Sequence, residues 1–290
     1  MSSTDMSTPR PSTTASSAID LDAYFRRVGH AGPAAPTLST LQALVAAHTR
    51  TIAFETLDPL MGVPVMDLGA AALAEKLITR GRGGYCYEQN GLMRYVLAEL
   101  GFTVEAYAGR VVWMLPADAA TPARTHQVLS VIVPDTGLEY LVDVGFGGQT
   151  LSSPIRMVLD EAQQTRHEPY RITRHGDERM LEALVRDVWQ PLYVFAPTPA
   201  PQIDLEVGSW YVSTHPASGF VVGMTVARVT DDARWNLRGR HLSVHRRDGT
   251  STKTVLKSAG AVVELLERRF GIDLTGIEGL ERRISQVLDT

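Results

Sequence analysis

The spacing of hydrophobic residues changes near residue 101, and this change divides the chain into two kinds of predicted structure. Before that point, apolar side chains recur every three or four positions, which is the period of an amphipathic helix. Asp20 and Gly29 are a favourable cap and stop for the first helix, and Gly101 is a favourable stop for the last. Four helices are predicted, over residues 21–28, 38–48, from residue 68 onward, and 86–100.

After residue 101, apolar and polar side chains alternate, which is typical of β-strands. Strands are predicted over residues 104–108, 111–114, 128–133, 138–142, 170–173, 180–185 and 191–195. The sequence Pro-Asp-Thr-Gly at residues 134–137 favours a turn that joins two of these strands into a hairpin. Beyond the proline-rich stretch 196–202, we expect a short helix near Leu205, strands around 220–226 and 242–244, and helices over 258–270 and 280–288.

These elements predict an α+β fold in three parts. An N-terminal helical bundle is expected over residues 19–101, a central antiparallel β domain, barrel-like in form, over 102–202, and a C-terminal α/β lid over 203–290. Residues 1–18 are rich in Ser and Thr, and we expect a disordered leader there. This leader lacks the apolar segment of a signal peptide, and no apolar run approaches the roughly 18 residues of a membrane span.

Composition and charge argue against some classes of function and indicate a location. The formal net charge of −4 over 290 residues argues against a general nucleic-acid-binding protein, and no membrane partner is expected. A single cysteine excludes an intramolecular disulfide, so a cytoplasmic location is predicted. The segment from Arg228 to Lys257 is locally basic, with eight Lys or Arg and three Asp residues. It is either a site that attracts phosphates or an ordinary solvated hairpin surface.

Cys86 is a candidate nucleophile because of its predicted position. A lone cysteine is more often a small buried apolar residue than a reactive one. Here, however, it is expected at a helix N-terminus, where partial positive charge and free N–H groups stabilise a thiolate. Gly83 and Gly84 just before it would allow a sharp turn and close access for a substrate. Glu88, in the first turn of the same helix, is interpreted as a capping residue.

The predicted hairpin supplies a candidate base and its partner. If the turn is centred between Asp135 and Thr136, His126 lies opposite Gly145, and Asp143 is two positions away on the same face. Such diagonal neighbours lie roughly 7–8 Å apart, within reach of their side chains. Cysteine nucleophiles need a base of this kind with a group that orients it. The alternative is an exposed strand histidine and a strand-end aspartate that accepts hydrogen bonds from turn amides.

Residues 80–90, RGRGGYCYEQN, resemble the signature R-G-G-x-C-x-E-x-N of the arylamine N-acetyltransferase family. The resemblance continues through residues 52–55, 125–129, 142–147, 210–216 and Phe220, in the order of the family. It implies a cysteine-protease/transglutaminase-like catalytic core with Cys86, His126 and Asp143 as the catalytic triad. It also implies a brace between Glu55 and Arg80. Ala53, Gly81 and Gln89 depart from the usual pattern, and none of them removes a triad residue.

The resemblance further implies a substrate pair and a binding region. The donor would be acetyl-coenzyme A, and the acceptor an arylamine or arylhydrazine. The sequence itself has no Cys/His cluster with the spacing of metal ligands, so no metal is expected. The expected substrate- or cofactor-binding residues are Thr125, Gly145, Phe146, Gly147 and Phe220. Two other functions remain open from the residues alone: a cysteine hydrolase or transglutaminase-like acyl transferase with the same triad, and a non-catalytic binding protein. The oligomeric state is not predicted.

Overall fold

The computed structural model describes residues 19–116 and 118–289; the predicted leader over residues 1–18 lies outside the described residues. The helices are α1 (Leu21–Val28), α2 (Leu38–Thr51), α3 (Leu57–Leu60), α4 (Ala70–Ala74), α5 (Cys86–Glu99), α6 (Gln202–Thr214), α7 (Gly219–Val222), α8 (Ala259–Arg268) and α9 (Leu280–Val287). A π-helical turn, Glu75–Thr79, continues α4. None of the described helices is long and apolar enough to span a membrane.

The strands form two antiparallel sheets. They are β1 (Phe54–Glu55), β2 (Thr103–Val111), β3 (His126–Val133), β4 (Leu138–Val142), β5 (Ile155–Arg156), β6 (Tyr170–His175), β7 (Glu178–Val185), β8 (Val188–Phe195), β9 (Thr225–Val229), β10 (Ala233–Arg238), β11 (His241–Arg246) and β12 (Ser251–Val255). The seven-stranded sheet has the order β5-β4-β3-β2-β8-β7-β6, and the five-stranded sheet has the order β1-β9-β10-β11-β12.

The four predicted N-terminal helices are present, and their caps explain their limits. The Asp20 side chain accepts a hydrogen bond from the Ala23 N–H (2.9 Å), and Gly29 ends α1 with a φ of 68°. The Thr37 hydroxyl caps α2 through the Thr40 N–H (3.3 Å). Helix α5 is buried along most of its length, because the bundle covers one side and strands β2 and β3 cover another. Cys86 is its first residue, as predicted.

The predicted β3–β4 hairpin is confirmed in its register. Val133 pairs with Leu138 and Leu129 with Val142, which is the alignment that places His126 opposite Gly145. The seven-stranded sheet continues from this hairpin through β2 and the β8–β7–β6 meander. It curls around a core that contains Val128, Tyr193 and Phe195, all fully buried.

Several predicted elements are wrong in extent or type. Residues 219–222 form helix α7 instead of a strand, because the Ser218 hydroxyl accepts the Phe220 N–H (3.2 Å) and caps a helical turn. Strand β2 ends at Val111, before the turn in which Met114 has a φ of 60°. The helix near Leu205 is longer than expected, at 13 residues. Strands β1, β5, β10 and β12 were not predicted. Strands β1 and β5 have only two residues each, and β12 is exposed along its whole length, so it has no buried apolar face to detect.

The three-part division of the chain stays a prediction. One hydrophobic cluster runs from the N-terminal helices into β3 and β4 and reaches Leu205 and Val212 of α6. A second cluster joins α8 and α9 to the five-stranded sheet. The first cluster therefore crosses both predicted boundaries, at residues 101 and 202, and links the parts that carry the candidate site residues.

We expect Gly208→Ala to destabilise the protein, because α6 packs against the start of α5 with no room for a side chain there. A Cβ at Gly208 would lie 2.1 Å from the Tyr87 hydroxyl, whose ring is almost fully buried. The free energy of unfolding should fall by about 1–3 kcal/mol, measured by urea denaturation. Gly219→Ala is the matched control, since its Cβ would meet nothing within 4 Å. Equal midpoints for the two variants would contradict this packing.

Candidate active site

Cys86 lies at the N-terminal end of α5, at the floor of a cleft. Its side chain is 4% exposed, and the thiol donates to the Thr125 carbonyl oxygen at 3.6 Å. The first N–H groups of an α-helix have no partners inside the helix, and Cys86 is the first residue of α5. A nucleophile at this position lies next to the partial positive charge of the helix terminus.

The loop after β4 lies directly against the backbone of Cys86. A Cβ at Gly145 would be 2.7 Å from the Cys86 Cα, so no larger residue fits at position 145 without displacing main chain. The Asn90 side chain holds this loop, since its Oδ1 accepts the Val144 N–H at 2.9 Å. Glycine at this position brings the hairpin and the helix close enough for their side chains to meet.

His126 and Asp143 form a buried ion pair. The two atoms His126 Nε2 and Asp143 Oδ2 are 2.8 Å apart, and both side chains are shielded from solvent. Asp143 also accepts hydrogen bonds at Oδ1 from Asn90 Nδ2 and from the Gly145 N–H, each at 2.9 Å. The carboxylate is thus fixed in place, and the other ring nitrogen of His126, Nδ1, remains for the thiol.

The charges of this pair stabilise each other. Burial alone would lower the pKa of His126, but the negative charge of Asp143, its hydrogen bond and Cys86 together raise that pKa to about 10. Burial alone would raise the pKa of Asp143, but His126 and the donors Asn90 and Gly145 hold it below its usual value. An imidazolium next to a carboxylate is therefore the favoured state, and it suits a thiolate nearby.

The loop that precedes Cys86 is braced by an ion pair different from the one expected. Arg82, and not Arg80, pairs with Glu55: Arg82 NH2 and Nε lie 2.6 and 3.0 Å from Glu55 Oε1. Arg80 is exposed at the end of the π-helical turn, whereas Arg82 is 2% exposed and points inward. Gly81, with a φ of 62°, turns the chain between the two arginines, so they face different directions.

The cleft above Cys86 has a volume of about 1550 Å³, which is more than most small-molecule sites enclose. All five residues predicted to bind substrate or cofactor line it: Thr125, Gly145, Phe146, Gly147 and Phe220. Cys86 and His126 open into the same space, and Asp143 lies behind His126. The structure therefore brings together every candidate site residue.

One wall of the cleft is strongly basic. Five of the eight Lys and Arg residues of the predicted basic segment line it: Arg234, Arg238, Arg246, Arg247 and Lys253. The only acidic residue described in the lining is Glu168, which pairs with Arg234 at 2.6 Å. By contrast, Arg228 donates to the carbonyl oxygens of Arg50 and Arg269, and Arg240 pairs with Asp289.

Three residues of the site were not predicted. Phe54 lines the cleft next to Phe220, with ring centroids 6.0 Å apart. The Tyr193 ring is 4.7 Å from the His126 ring, and burial, together with the negative charge of Asp143, raises the pKa of its hydroxyl. Asn90 did carry a signal, since it follows Cys86 by one helical turn and therefore shares its face. Tyr193 carried none, because only the strand order of the sheet, in which β8 pairs with β2 and β2 with β3, brings its ring near His126.

No group of three or more His, Cys, Asp or Glu side chains in the described part of the chain could hold a metal ion.

Comparison with known proteins identifies the family. The family model of N-acetyltransferases matches residues 37–278. The chain is 60% identical over 275 residues to the arylamine N-acetyltransferase of Mycolicibacterium smegmatis, an alignment that covers 94% of this chain and 100% of the relative. The chain belongs to the arylamine N-acetyltransferase family.

Other members of the family show the same relationship. The arylamine N-acetyltransferase of Escherichia coli is 36% identical over 253 residues, with 87% of this chain and 88% of the relative covered. The solved structure of the M. smegmatis arylamine N-acetyltransferase superimposes with a TM-score of 0.92 over 94% of this chain and 100% of its own. That of the Mycobacterium marinum enzyme in complex with CoA is 56% identical and has a TM-score of 0.90 over 92% and 99% of the two chains.

Family membership confirms the predicted α+β fold with its cysteine-protease-like core. The protein is an acyltransferase, and the group that it transfers is acetyl.

We expect Asp143→Asn to lower the pKa of His126 from about 10 to below its ordinary value of 6.5, because burial then acts without the opposing carboxylate. NMR titration of the His126 ring measures this directly. A folded-state pKa of about 10 stabilises the wild type fully below pH 6.5, and this contribution is lost as the pH rises to 10. The difference in unfolding free energy between wild type and variant should therefore shrink over that range. An unchanged His126 pKa would refute the assigned ion pair.

Proposed function

We propose that the protein transfers an acetyl group from acetyl-coenzyme A to the nitrogen of an arylamine or arylhydrazine, by a ping-pong mechanism through acetylated Cys86. The observation that carries this proposal is the buried His126–Asp143 pair, which faces the only cysteine of the chain at the floor of a large cleft. A stabilised imidazolium beside a thiol at a helix N-terminus is an arrangement that activates sulfur as a nucleophile.

In the first half-reaction, the Cys86 thiolate attacks the acetyl carbonyl carbon of the donor thioester. The negative charge that develops on the carbonyl oxygen would be stabilised by backbone N–H groups at the start of α5, those of Cys86 and Tyr87. The C–S bond to coenzyme A then breaks, His126 gives its proton to the leaving thiolate, and acetylated Cys86 remains. Asp143 keeps the imidazole ring in the orientation that this proton transfer needs.

In the second half-reaction, the acceptor nitrogen attacks the acetyl carbon on Cys86. His126, now neutral, accepts the proton that the nitrogen loses, and the Cys86 thiolate leaves. Aromatic amines suit this step because they are weak bases and stay unprotonated near neutral pH. The faces of Phe54, Phe146 and Phe220 line the cleft next to Cys86 and offer apolar contact for an aromatic ring.

The donor fits the cleft in both size and charge. Coenzyme A is a long molecule with several phosphate charges, and the cleft of about 1550 Å³ has Arg238, Arg246, Arg247 and Lys253 along one wall. A relative from M. marinum, 56% identical, has been solved in complex with CoA. These observations support coenzyme A as the carrier and the basic wall as the region that attracts its phosphates.

The two functions that the residues left open are less well supported. A hydrolase would let water attack acetylated Cys86 in the absence of an amine, and a binding protein would not acetylate Cys86 at all. Family membership favours transfer over both. A cytoplasmic location is part of the same proposal, since the reaction requires Cys86 to remain a free thiol.

Intact-protein mass spectrometry should show one acetyl group added to Cys86 after mixing with acetyl-coenzyme A. An arylamine should then discharge it and give the corresponding acetamide. Cys86→Ala should gain no acetyl group and should lower transfer to background. Discharge at the same rate without the amine would establish the hydrolase instead, and transfer by Cys86→Ala would sink the mechanism.

Replacing Arg246 and Arg247 together by Gln should raise KM for acetyl-coenzyme A about fivefold, since two exposed positive charges that would attract its phosphates are removed. The kcat/KM for p-nitrophenyl acetate, an acetyl donor without phosphates, should stay within about twofold of wild type. Arg268→Gln is the matched control, because this exposed arginine of α8 does not line the cleft. The difference should shrink at high salt. Equal losses with both donors would rule out a role in phosphate attraction.

A further inference from the structure

Five charged side chains form a continuous, largely buried chain beneath the turn that carries Cys86. Lys76 Nζ lies 2.5 Å from Glu88 Oε1 and 2.7 Å from Asp58 Oδ2. Arg82 NH2 lies 2.8 Å from Asp58 Oδ1 and 2.6 Å from Glu55 Oε1. The chain thus joins the π-helical turn, α3, β1 and the loop at residues 82–85 to the first turn of α5. The mechanism proposed above uses none of these groups.

Glu88 is the member that touches the Cys86 turn. Its Oε2 accepts the N–H of Tyr85, the residue before Cys86, at 3.1 Å, and completes the N-terminal cap of α5. The carboxylate fills the space next to Gly84, where a Cβ would lie 2.7 Å from Glu88 Oε2. On the other side of the loop, a Cβ at Gly83 would lie 2.1 Å from the Ala53 carbonyl oxygen. Glycine is therefore needed at both positions, because the Glu88 side chain occupies the space next to Gly84 and the Ala53 main chain occupies the space next to Gly83.

The charges of this cluster do not balance. Lys76 and Arg82 are cations, whereas Glu55, Asp58 and Glu88 are anions, so the ionised cluster has an excess of one negative charge in a buried position. The pKa of Asp58 is held below its usual value by Lys76 and Arg82, despite burial. Burial, together with the charges of Asp58 and Glu55, raises the pKa of Glu88 to about 7, although Lys76 opposes this rise. Glu88 is therefore the member that gains a proton near neutral pH.

We propose that Glu88 is a positioning residue for the Cys86 thiol, and that its ion pair with Lys76 sets the pH range over which it holds the turn. The ionised carboxylate makes a charge-assisted hydrogen bond to the Tyr85 N–H, which is stronger than the bond that a neutral acid makes. When Glu88 is protonated, this bond weakens and the Cys86 turn is held less firmly.

The groups that face Glu88 come from four directions. Lys76 approaches from the π-helical turn, Asp58 from α3 and Glu55 from β1. The fourth, the Tyr85 hydroxyl, is bonded to Ser209 of α6, and the Glu88 charge helps to raise its pKa. Lys76 is the only cation in direct contact with Glu88 among the described residues. Its own pKa is raised by Glu88, Glu55 and Asp58 despite burial, so it remains charged.

The test follows the pH dependence of two rates: alkylation of Cys86 by iodoacetamide and acetylation by acetyl-coenzyme A, both read by mass spectrometry. Cys86 is the only thiol of the chain, so the alkylation signal is unambiguous. In the wild type, we expect both rates to fall as the pH drops through about 7. Glu88→Gln, which resembles the protonated acid, should react about tenfold more slowly at pH 8 and should not slow further as the pH drops through that range.

The lysine supplies the second half of the test. Lys76→Met removes the cation that opposes protonation of Glu88, so the fall in rate should move to higher pH, whereas Lys76→Arg should leave it near the wild-type position. Glu267→Gln, at an exposed position of α8, is the control and should behave as the wild type. If Glu88→Gln does not fold, the comparison between Lys76→Met and Lys76→Arg decides the question alone.

The proposal is overturned if Glu88→Gln keeps the wild-type pH dependence, or if Lys76→Met does not shift it. It is also overturned if the folded fraction of Glu88→Gln, measured by circular dichroism, falls by the same factor as its reaction rates. The inference rests on Cys86 as the acetylated residue, and the two rates separate the failures. A wild type that is alkylated but never acetylated contradicts the proposed function, whereas variants that react as the wild type contradict the role of Glu88.

Discussion

The close contact between the loop after β4 and the start of α5 is the constraint on which the site depends. The space beside Gly145 is too small for a Cβ, which would lie 2.7 Å from the Cys86 Cα, and this close packing brings a helix terminus, a strand histidine and a strand-end aspartate together in a buried position. Neither element could hold these charges alone, since a buried imidazolium requires its carboxylate and the carboxylate requires its donors. The packing of a hairpin on a helix therefore determines the electrostatics of the site.

The local parts of this arrangement could be predicted from the sequence. Cap residues such as Asp20 and Thr37 mark helix starts, and the Pro-Asp-Thr-Gly turn fixes a register that places His126 and Asp143 on one face. These features depend on neighbours within a few residues, and short-range patterns record such neighbours well. The position of Cys86 at the start of α5 could be predicted for the same reason.

The remaining features depend on contacts between distant segments. Arg82, and not Arg80, reaches Glu55, because Gly81 rotates the chain between them, and spacing alone does not reveal a rotation of this kind. Helix α7 replaces a predicted strand, because a single capping hydroxyl outweighs the β-propensity of Val221 and Val222. Tyr193 enters the site only through the order of strands in the seven-stranded sheet, which depends on sheet topology and not on local pattern.

The π-helical turn that carries Lys76 has a consequence for the history of this family. A π-turn amounts to one extra residue within an α-helix, and removing that residue would restore regular geometry. A family member without that residue would have a regular α-helical turn in place of Glu75–Thr79, and its side chains there would leave the helix in different directions from those of the π-turn. Members of the family that differ in length at this point should therefore have lost the Lys76–Glu88 pair, or should replace the lysine with a cation from another turn of the helix.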